Sequence, residues 1–358
     1  MELNTESILL QGNITGPAFL VKDGMIKEAN AAAIQRGFTV EKSIYSLIGS
    51  DEETYSKYKS GKLYLQLVVG GRSYGAAVTI VNDYHLFCLE SDYENNQLQI
   101  LSLVSQQLRG PISNAMLSTS QLQQNTSLQD DQSIQASLGQ INRALHQLTR
   151  AVCNMSDVSN LHLLSLRMEN RNITALLNEL LPQVEDLIVQ AGKTLKVKKL
   201  SKSITCLVDP QLFTRSILNL ISNAAQFSPN GSEIKVKFEH SNNILRITVE
   251  NPNAVENSPL LPNAFHRFLR EPGIEDERFG IGLGMSLIRN IAITHGGTVL
   301  FDSSKKNTVK VVMTISTNRT EPPILRSKIQ LIGGYNGGLD TLLTELADVL
   351  PASLYEGF

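Results

Sequence analysis

Asp209-Pro210-Gln211-Leu212-Phe213-Thr214-Arg215-Ser216-Ile217-Leu218-Asn219-Leu220-Ile221-Ser222-Asn223-Ala224-Ala225-Gln226-Phe227-Ser228-Pro229 is the stretch on which the fold turns. It reads as a helix over Gln211–Gln226, in which Asn219 and Asn223 share one face among apolar neighbours because they lie four residues apart. A buried asparagine needs hydrogen-bond partners. Two in register suit contacts to phosphate oxygens and a hydrated Mg²⁺, or the packing of one helix on another. On these residues alone the two readings stand level.

A second stretch separates them. Phe279-Gly280-Ile281-Gly282-Leu283-Gly284-Met285-Ser286 opens a helix, and the chain then reaches His295-Gly296-Gly297-Thr298. Alternating glycines let backbone N–H groups approach phosphates at a helix N-terminus. Either feature alone is weak. An asparagine pair followed by such a loop, with Phe265-His266-Arg267-Phe268 between, points to a nucleotide.

Around these motifs the chain divides by periodicity. At 358 residues it is too long for one ordinary core. Residues 1–93 carry short strands and turns, among them a hairpin turning at Asp23-Gly24 and strands over Leu63–Val69, Tyr74–Val81 and Tyr84–Leu89. Residues 94–166 are helical. Their second half places Ile134, Leu138, Ile141, Leu145, Leu148, Val152 and Met155 at alternating steps of four and three, a heptad seam. One amphipathic hairpin cannot bury its own seam, so two copies are expected to form a four-helix bundle. Residues 167–319 alternate strand and helix, as in a sheet with helices on one face. Residues 320–358, with Gly333-Gly334, Gly337-Gly338 and an amphipathic segment Leu339–Leu350, yield no role.

Composition narrows the function. A formal net charge of −2 argues against a nucleic-acid partner. Cys88, Cys153 and Cys206 follow no metal-ligand spacing and read as reduced thiols, so no structural metal is expected. No signal peptide or membrane-spanning run is apparent, so a cytoplasmic protein without a transmembrane segment is expected.

Together the asparagine helix and glycine loop resemble the ATP-binding domain shared by histidine kinases, gyrase-type ATPases and Hsp90-like chaperones. Ser105-Gln106-Gln107-Leu108-Arg109-Gly110-Pro111-Ile112 narrows this to the sensor histidine kinases, whose phosphorylation motif reads Ser-His-Glu-Leu-Arg-Thr-Pro-Leu. Asn30-Ala31-Ala32-Ala33 after the first hairpin loosely resembles a PAS sensor domain. The resemblance implies an α+β multidomain protein: a PAS-like sensor, a hairpin that dimerises into a four-helix bundle, and an α/β-sandwich ATPase domain. It implies Mg-ATP held by Asn219, Asn223, Gln226, Glu250, Gly280, Gly282 and Gly284, with the metal on Asn223.

The departures bear on chemistry. The family's phospho-accepting histidine falls on Gln106, whose amide has no nucleophilic ring nitrogen, and the neighbouring acid falls on Gln107. The adenine-reading D-x-G-x-G element aligns with Glu250, Pro252 and Ala254, and Pro252 restricts φ where glycine was free; Asn251 is a neutral acceptor beside it. The family's lysine falls on Gln226. His146, between seam positions, reads as a solvated or packing residue rather than a substitute phospho-acceptor. The expectation is a homodimeric pseudo-kinase with weak or no Mg-ATP binding that docks a response-regulator receiver domain or a partner kinase. Its rivals are a GHKL-type ATP-binding protein or atypical kinase with residual hydrolysis, and a phosphotransfer-like module that only binds receiver domains.

Overall fold

The computed structural model describes residues 16–48, 52–70, 72–81, 83–89, 92–123, 132–160, 167–252, 283–302, 307–318 and 339–356. Gly280, Gly282, Arg270, Arg278, His162, His266, the turn 124–131 and the glycine pairs of 333–338 lie outside them.

The first hairpin forms as its turn residues dictate. β1 (Ala18–Lys22) and β2 (Met25–Ala29) meet at Asp23 and Gly24, both at positive φ (52° and 74°), as a primed two-residue turn requires. Asn30 caps the short α1 (Ala31–Gln35) and also accepts from the Ala18 N–H, tying helix to strand. After α2 (Glu52–Ser56) come β3 (Lys62–Val69), β4 (Arg72–Val81) and β5 (Tyr84–Leu89). The sheet order here is β2-β1-β5-β4-β3, antiparallel throughout. Stacked Phe19, Phe38 and Phe87 fill its inner face.

Two long helices follow, α3 (Asp92–Gln123), continuous across Pro111, and α4 (Gln132–Asn160). The heptad seam divides between two environments. Leu145 and Val152 pack with Ile112, Ala115 and Met116 of α3 inside one chain, while Ile141 and Leu148 stay 47% and 51% exposed. A single seam facing a second copy was the expectation. A hairpin instead needs one apolar line for its own closure, and only the other remains for a partner.

The second half contains β6 (Glu169–Asn172), α5 (Ile173–Gln190), β7 (Thr194–Lys198), β8 (Thr205–Val208), α6 (Pro210–Phe227), β9 (Glu233–Ser241), β10 (Ile244–Pro252), α7 (Gly284–Thr294), β11 (Val299–Asp302) and β12 (Thr308–Ser316). β6 and β8 form a separate ribbon. α6 begins where its sequence says: Asp209 accepts from the Gln211 and Leu212 N–H groups, Pro210 takes the first turn, and His295 Nε2 accepts from the Asp209 N–H. His295 is thereby structural. Buried apolar residues of α5, α6 and α7 share one core with the inner face of the sheet.

The two sheets are one. β3 pairs antiparallel with β11, Leu63 opposite Leu300, giving ten strands in the order β2-β1-β5-β4-β3-β11-β12-β10-β9-β7. Arg289 of α7 lies over the Tyr64 ring, 4.1 Å from its centroid, and brackets the junction.

The C-terminal segment also folds into the molecule. Asp340 caps α8 (Thr341–Glu345), and a 3₁₀ turn follows at Ala352–Tyr355. Leu343, Leu346, Ala347, Leu350 and Tyr355 join the core of the second half.

Gly61 sits at φ 85°, and a Cβ there would collide with the Phe301 carbonyl oxygen across the junction. Gly70 sits at φ 57° with open space around it. Alanine at either position carries a left-handed backbone cost of roughly 1–2 kcal/mol, and only Gly61→Ala also strains the junction. Thermal melts should show the larger drop for Gly61→Ala; equal drops would contradict the β3–β11 pairing.

Candidate nucleotide site

α6 presents Arg215, Asn219, Asn223 and Gln226 along one face, at helical steps of four, four and three. Opposite it, α4 carries a polar row that is buried: Asn142, His146, Arg150, Asn154 and Asp157. The rows are cross-linked. Arg215 donates to Asn154 Oδ1 at 2.9 Å and pairs closely with Asp157, and Arg150 Nη2 donates to Asn219 Oδ1 at 3.0 Å.

The C-terminal segment closes this interface. Glu345, fully buried, accepts from Arg215 Nε at 2.5 Å and from Asn219 Nδ2 at 2.8 Å, with Arg150 Nε 3.5 Å away. Asp348 adds a close pair to Arg150. His146 meets Thr344 Oγ1 at 3.0 Å and packs on the Tyr355 ring, and burial pushes its pKa down, so it is held neutral. That is the packing role its sequence context suggested. Burial pushes the Asp157 carboxyl up, to about 6, against the pull of Arg215, while the acids around Arg215 raise the guanidinium further still.

Asn219 is therefore committed within the protein: its amide donates to Glu345 and to the Arg215 carbonyl at 3.1 Å, and its oxygen accepts from Arg150. Asn223 differs. It is half-buried, and its amide has no hydrogen-bond partner among the described residues. Gly284, opening α7, lies directly over the pair: an added Cβ would stand 3.4 Å from the Asn223 amide and 3.5 Å from Asn219 Oδ1. The start of α7 thus packs at van der Waals distance on the asparagine face. The buried hydroxyls of Ser222 and Ser286, on the same two helices, lack partners among the described residues. Gln226 is half-buried one turn beyond Asn223.

The strand that supplies the other side of the site has a definite register. Leu245, Ile247, Val249 and Asn251 of β10 point to the helices, and alternation puts Glu250 on the opposite face, flanked across the strands by Lys235 and Lys310. The sequence alignment set Glu250 at the base-reading position. On the strand it is Asn251, 4% exposed, that faces the helices, and its amide donates to the Pro252 carbonyl at 3.0 Å. Pro252 remains within β10, opposite Thr308.

The side chains suit Mg-ATP at one corner, where the partly exposed Asn223 amide has no hydrogen-bond partner among the described residues and Gly284 lies beside it. Mg-ATP does not fit at Asn219, which is occupied by Arg150 and Glu345. Gln106 and Gln107 are exposed on α3. Among the described residues no group of histidine, cysteine and acidic side chains could hold a metal ion, and no helix is long and apolar enough to cross a membrane.

Residues 208–319 match the family described as histidine kinase-, DNA gyrase B-, and HSP90-like ATPase. Over part of its length the chain is similar to sensor histidine kinases. It is 33% identical over 106 residues to the sensor histidine kinase CusS of Escherichia coli O6:H1, covering 29% of this chain and 22% of that protein. It is 26% identical over 218 residues to the sensor protein KdpD of Clostridium acetobutylicum, covering 59% of this chain and 24% of that one. The chain thus spans under a quarter of the length of these curated relatives. The crystal structure of full-length ShkA in complex with AMPPNP superimposes with a TM-score of 0.49 at 17% identity, covering 62% of this chain and 47% of ShkA.

The polar row of α4 went unread in the sequence. Five polar residues at steps of four, four, four and three lie beside an apolar seam, which usually marks a solvated face. The signal that could have exposed it is composition: two asparagines, a histidine, an arginine and an aspartate, with no lysine or glutamate, make a poor solvated face. Arg215→Met would leave Asp157 buried without its contacting counter-charge and Glu345 with Arg150 alone, a loss of about 3–5 kcal/mol. Asn223→Ala, removing an amide without partners, should change chemical denaturation little. A reversal of that order would refute the network.

Proposed function

We propose that this chain is a signal-transduction protein of the histidine kinase type that does not phosphorylate itself. The observation that carries this is Gln106, exposed on α3 at the position the family gives to its phospho-accepting histidine. An amide there cannot form a phosphoramidate, and Gln107 offers no carboxylate to draw off a proton. His146, the histidine on α4, is buried against Thr344 and Tyr355, which keeps a phosphoryl donor from reaching its ring.

Under this reading the N-terminal five strands form a PAS-like sensor, supported by the β2-β1-β5-β4-β3 order and its aromatic interior. The α3–α4 hairpin pairs with a second copy through the apolar line its own closure leaves exposed: Val104 and Leu108 on α3, Ile141 and Leu148 on α4. Mg-ATP would be held weakly, with Asn223 toward the metal, Gly280, Gly282 and Gly284 toward the phosphates, and Asn251 rather than Glu250 facing the base. An asparagine presents a donor as well as an acceptor, so ATP and GTP should bind with similar affinity. A response-regulator receiver domain is the proposed partner, docked on the hairpin, and the protein acts in the cytoplasm. The rival reading, an ATPase that hydrolyses nucleotide without phosphorylating itself, is favoured by the corner at Asn223 and Gly284.

Incubation with γ-labelled ATP should leave no acid-labile, base-stable label on the protein. Label on any histidine would overturn the pseudo-kinase reading, whereas release of phosphate alone would move the assignment to the ATPase. For the homodimer, Leu148→Glu should yield monomers by light scattering at micromolar concentration. Leu145→Ala, buried inside one chain, should lower stability by ~2–5 kcal/mol while leaving the dimer intact. A wild-type monomer would contradict the assembly.

A further inference from the structure

The C-terminal segment is bound as a ligand would be. The hairpin reads its backbone: Arg143 donates to the carbonyls of Ala347 (3.0 Å) and Asp348 (3.2 Å), Gln147 to Ala347 (3.3 Å), Asn142 to Tyr355 (3.2 Å) and Gln123 to Glu356 (3.1 Å). Gly139 of α4 is shaped to it, since a Cβ there would stand 2.8 Å from the Ala352 carbonyl oxygen. Its one fully buried charge, Glu345, is delivered between the guanidinium groups of Arg150 and Arg215 and onto the Asn219 amide.

That pocket has the character of an anion site. Two arginines and an asparagine amide converge on a carboxylate beside Asn223 and Gly284, the corner suited to a phosphate. The segment also touches both halves of the interface, Arg150 on α4 and Arg215 on α6. While Glu345 is seated, α6 is held on α4 and Asn219 is withheld from any other acceptor. We propose that the C-terminal segment is an internal latch whose Glu345 carboxylate competes with the phosphates of a nucleotide for the Arg150–Arg215–Asn219 pocket. The competition rests on the nucleotide reading above; the latch itself does not. By linkage, whatever factor the seated segment subtracts from nucleotide affinity, bound nucleotide subtracts from seating of the segment.

Two full-length variants test this. Glu345→Gln keeps the shape and removes the charge. Gly139→Leu drives a side chain into the Ala352 carbonyl while adding a good helix former to α4 and leaving every charge paired. Hydrogen exchange across 340–356 is measured in each, with exchange in β9 and β10 as the control for global unfolding, and Mg-AMPPNP is titrated calorimetrically. Both variants should raise exchange in 340–356 and bind Mg-AMPPNP at least about tenfold more tightly than the wild type, because the competent fraction sets the apparent affinity. Unchanged exchange in 340–356 in Gly139→Leu would overturn the latch, and this variant decides if Glu345→Gln fails to fold. A loosened segment with affinity equal to wild type would overturn the competition alone. A loosened segment with no binding in any variant would refute the nucleotide reading and the competition together, while upholding the latch.

Discussion

A guanidinium with no access to water must be matched by acids in place, and Arg215 is that group here. It is fully enclosed, with Asp157 and Asn154 on α4 to one side and Glu345 of the C-terminal segment to the other. The cost of removing an ion from water is recovered only with close partners in good geometry. The hairpin, the asparagine helix and the C-terminal segment are therefore positioned together: moving any one away strands a charge. Apolar burial supplies most of the cohesion of this region, as the shared core of α5–α7 and the segment indicates. It is non-directional, however, and would tolerate several packings. The ion cluster selects among them.

The elements of the second half were legible because their signals are local. Asp209-Pro210 starts α6, apolar spacing carries it, and α7 runs over Gly284–Thr294 as its glycine opening suggests. Strand β10 was legible in existence but extended two residues beyond the expected Glu250, through Pro252. Its period-two alternation assigns the faces, turning Asn251 toward the helices and Glu250 away.

Features that depend on distant partners were not legible. The heptad pattern announced an apolar seam on α4 without saying that Leu145 and Val152 would serve α3 while Ile141 and Leu148 stayed outside. The charges of Arg150 and Asp157 acquire meaning only beside Arg215 and Glu345. The C-terminal segment, with one short helix and no motif, draws its conformation from the surface that receives it. Nor could the strands reveal that β3 would end the first sheet against β11 rather than against solvent, since edge pairing leaves no pattern beyond a strand's own alternation.

That junction sets the order in which the chain can be completed. Ser60 and Asp302, whose side chains meet at 3.4 Å beside the β3–β11 pairing, are 242 residues apart in the sequence. During synthesis the first five strands emerge long before β11, so the edge of β3 spends most of translation as an unpaired strand, a ready template for other chains. The edge offers little protection of its own, with Leu63, Leu65 and Leu67 on one side and a single charged residue, Lys62, at its start. Nascent chains of this protein thus carry an exposed β edge whose proper mate follows more than 200 residues later, which makes the interval before β11 emerges the point at which intermolecular pairing competes with folding.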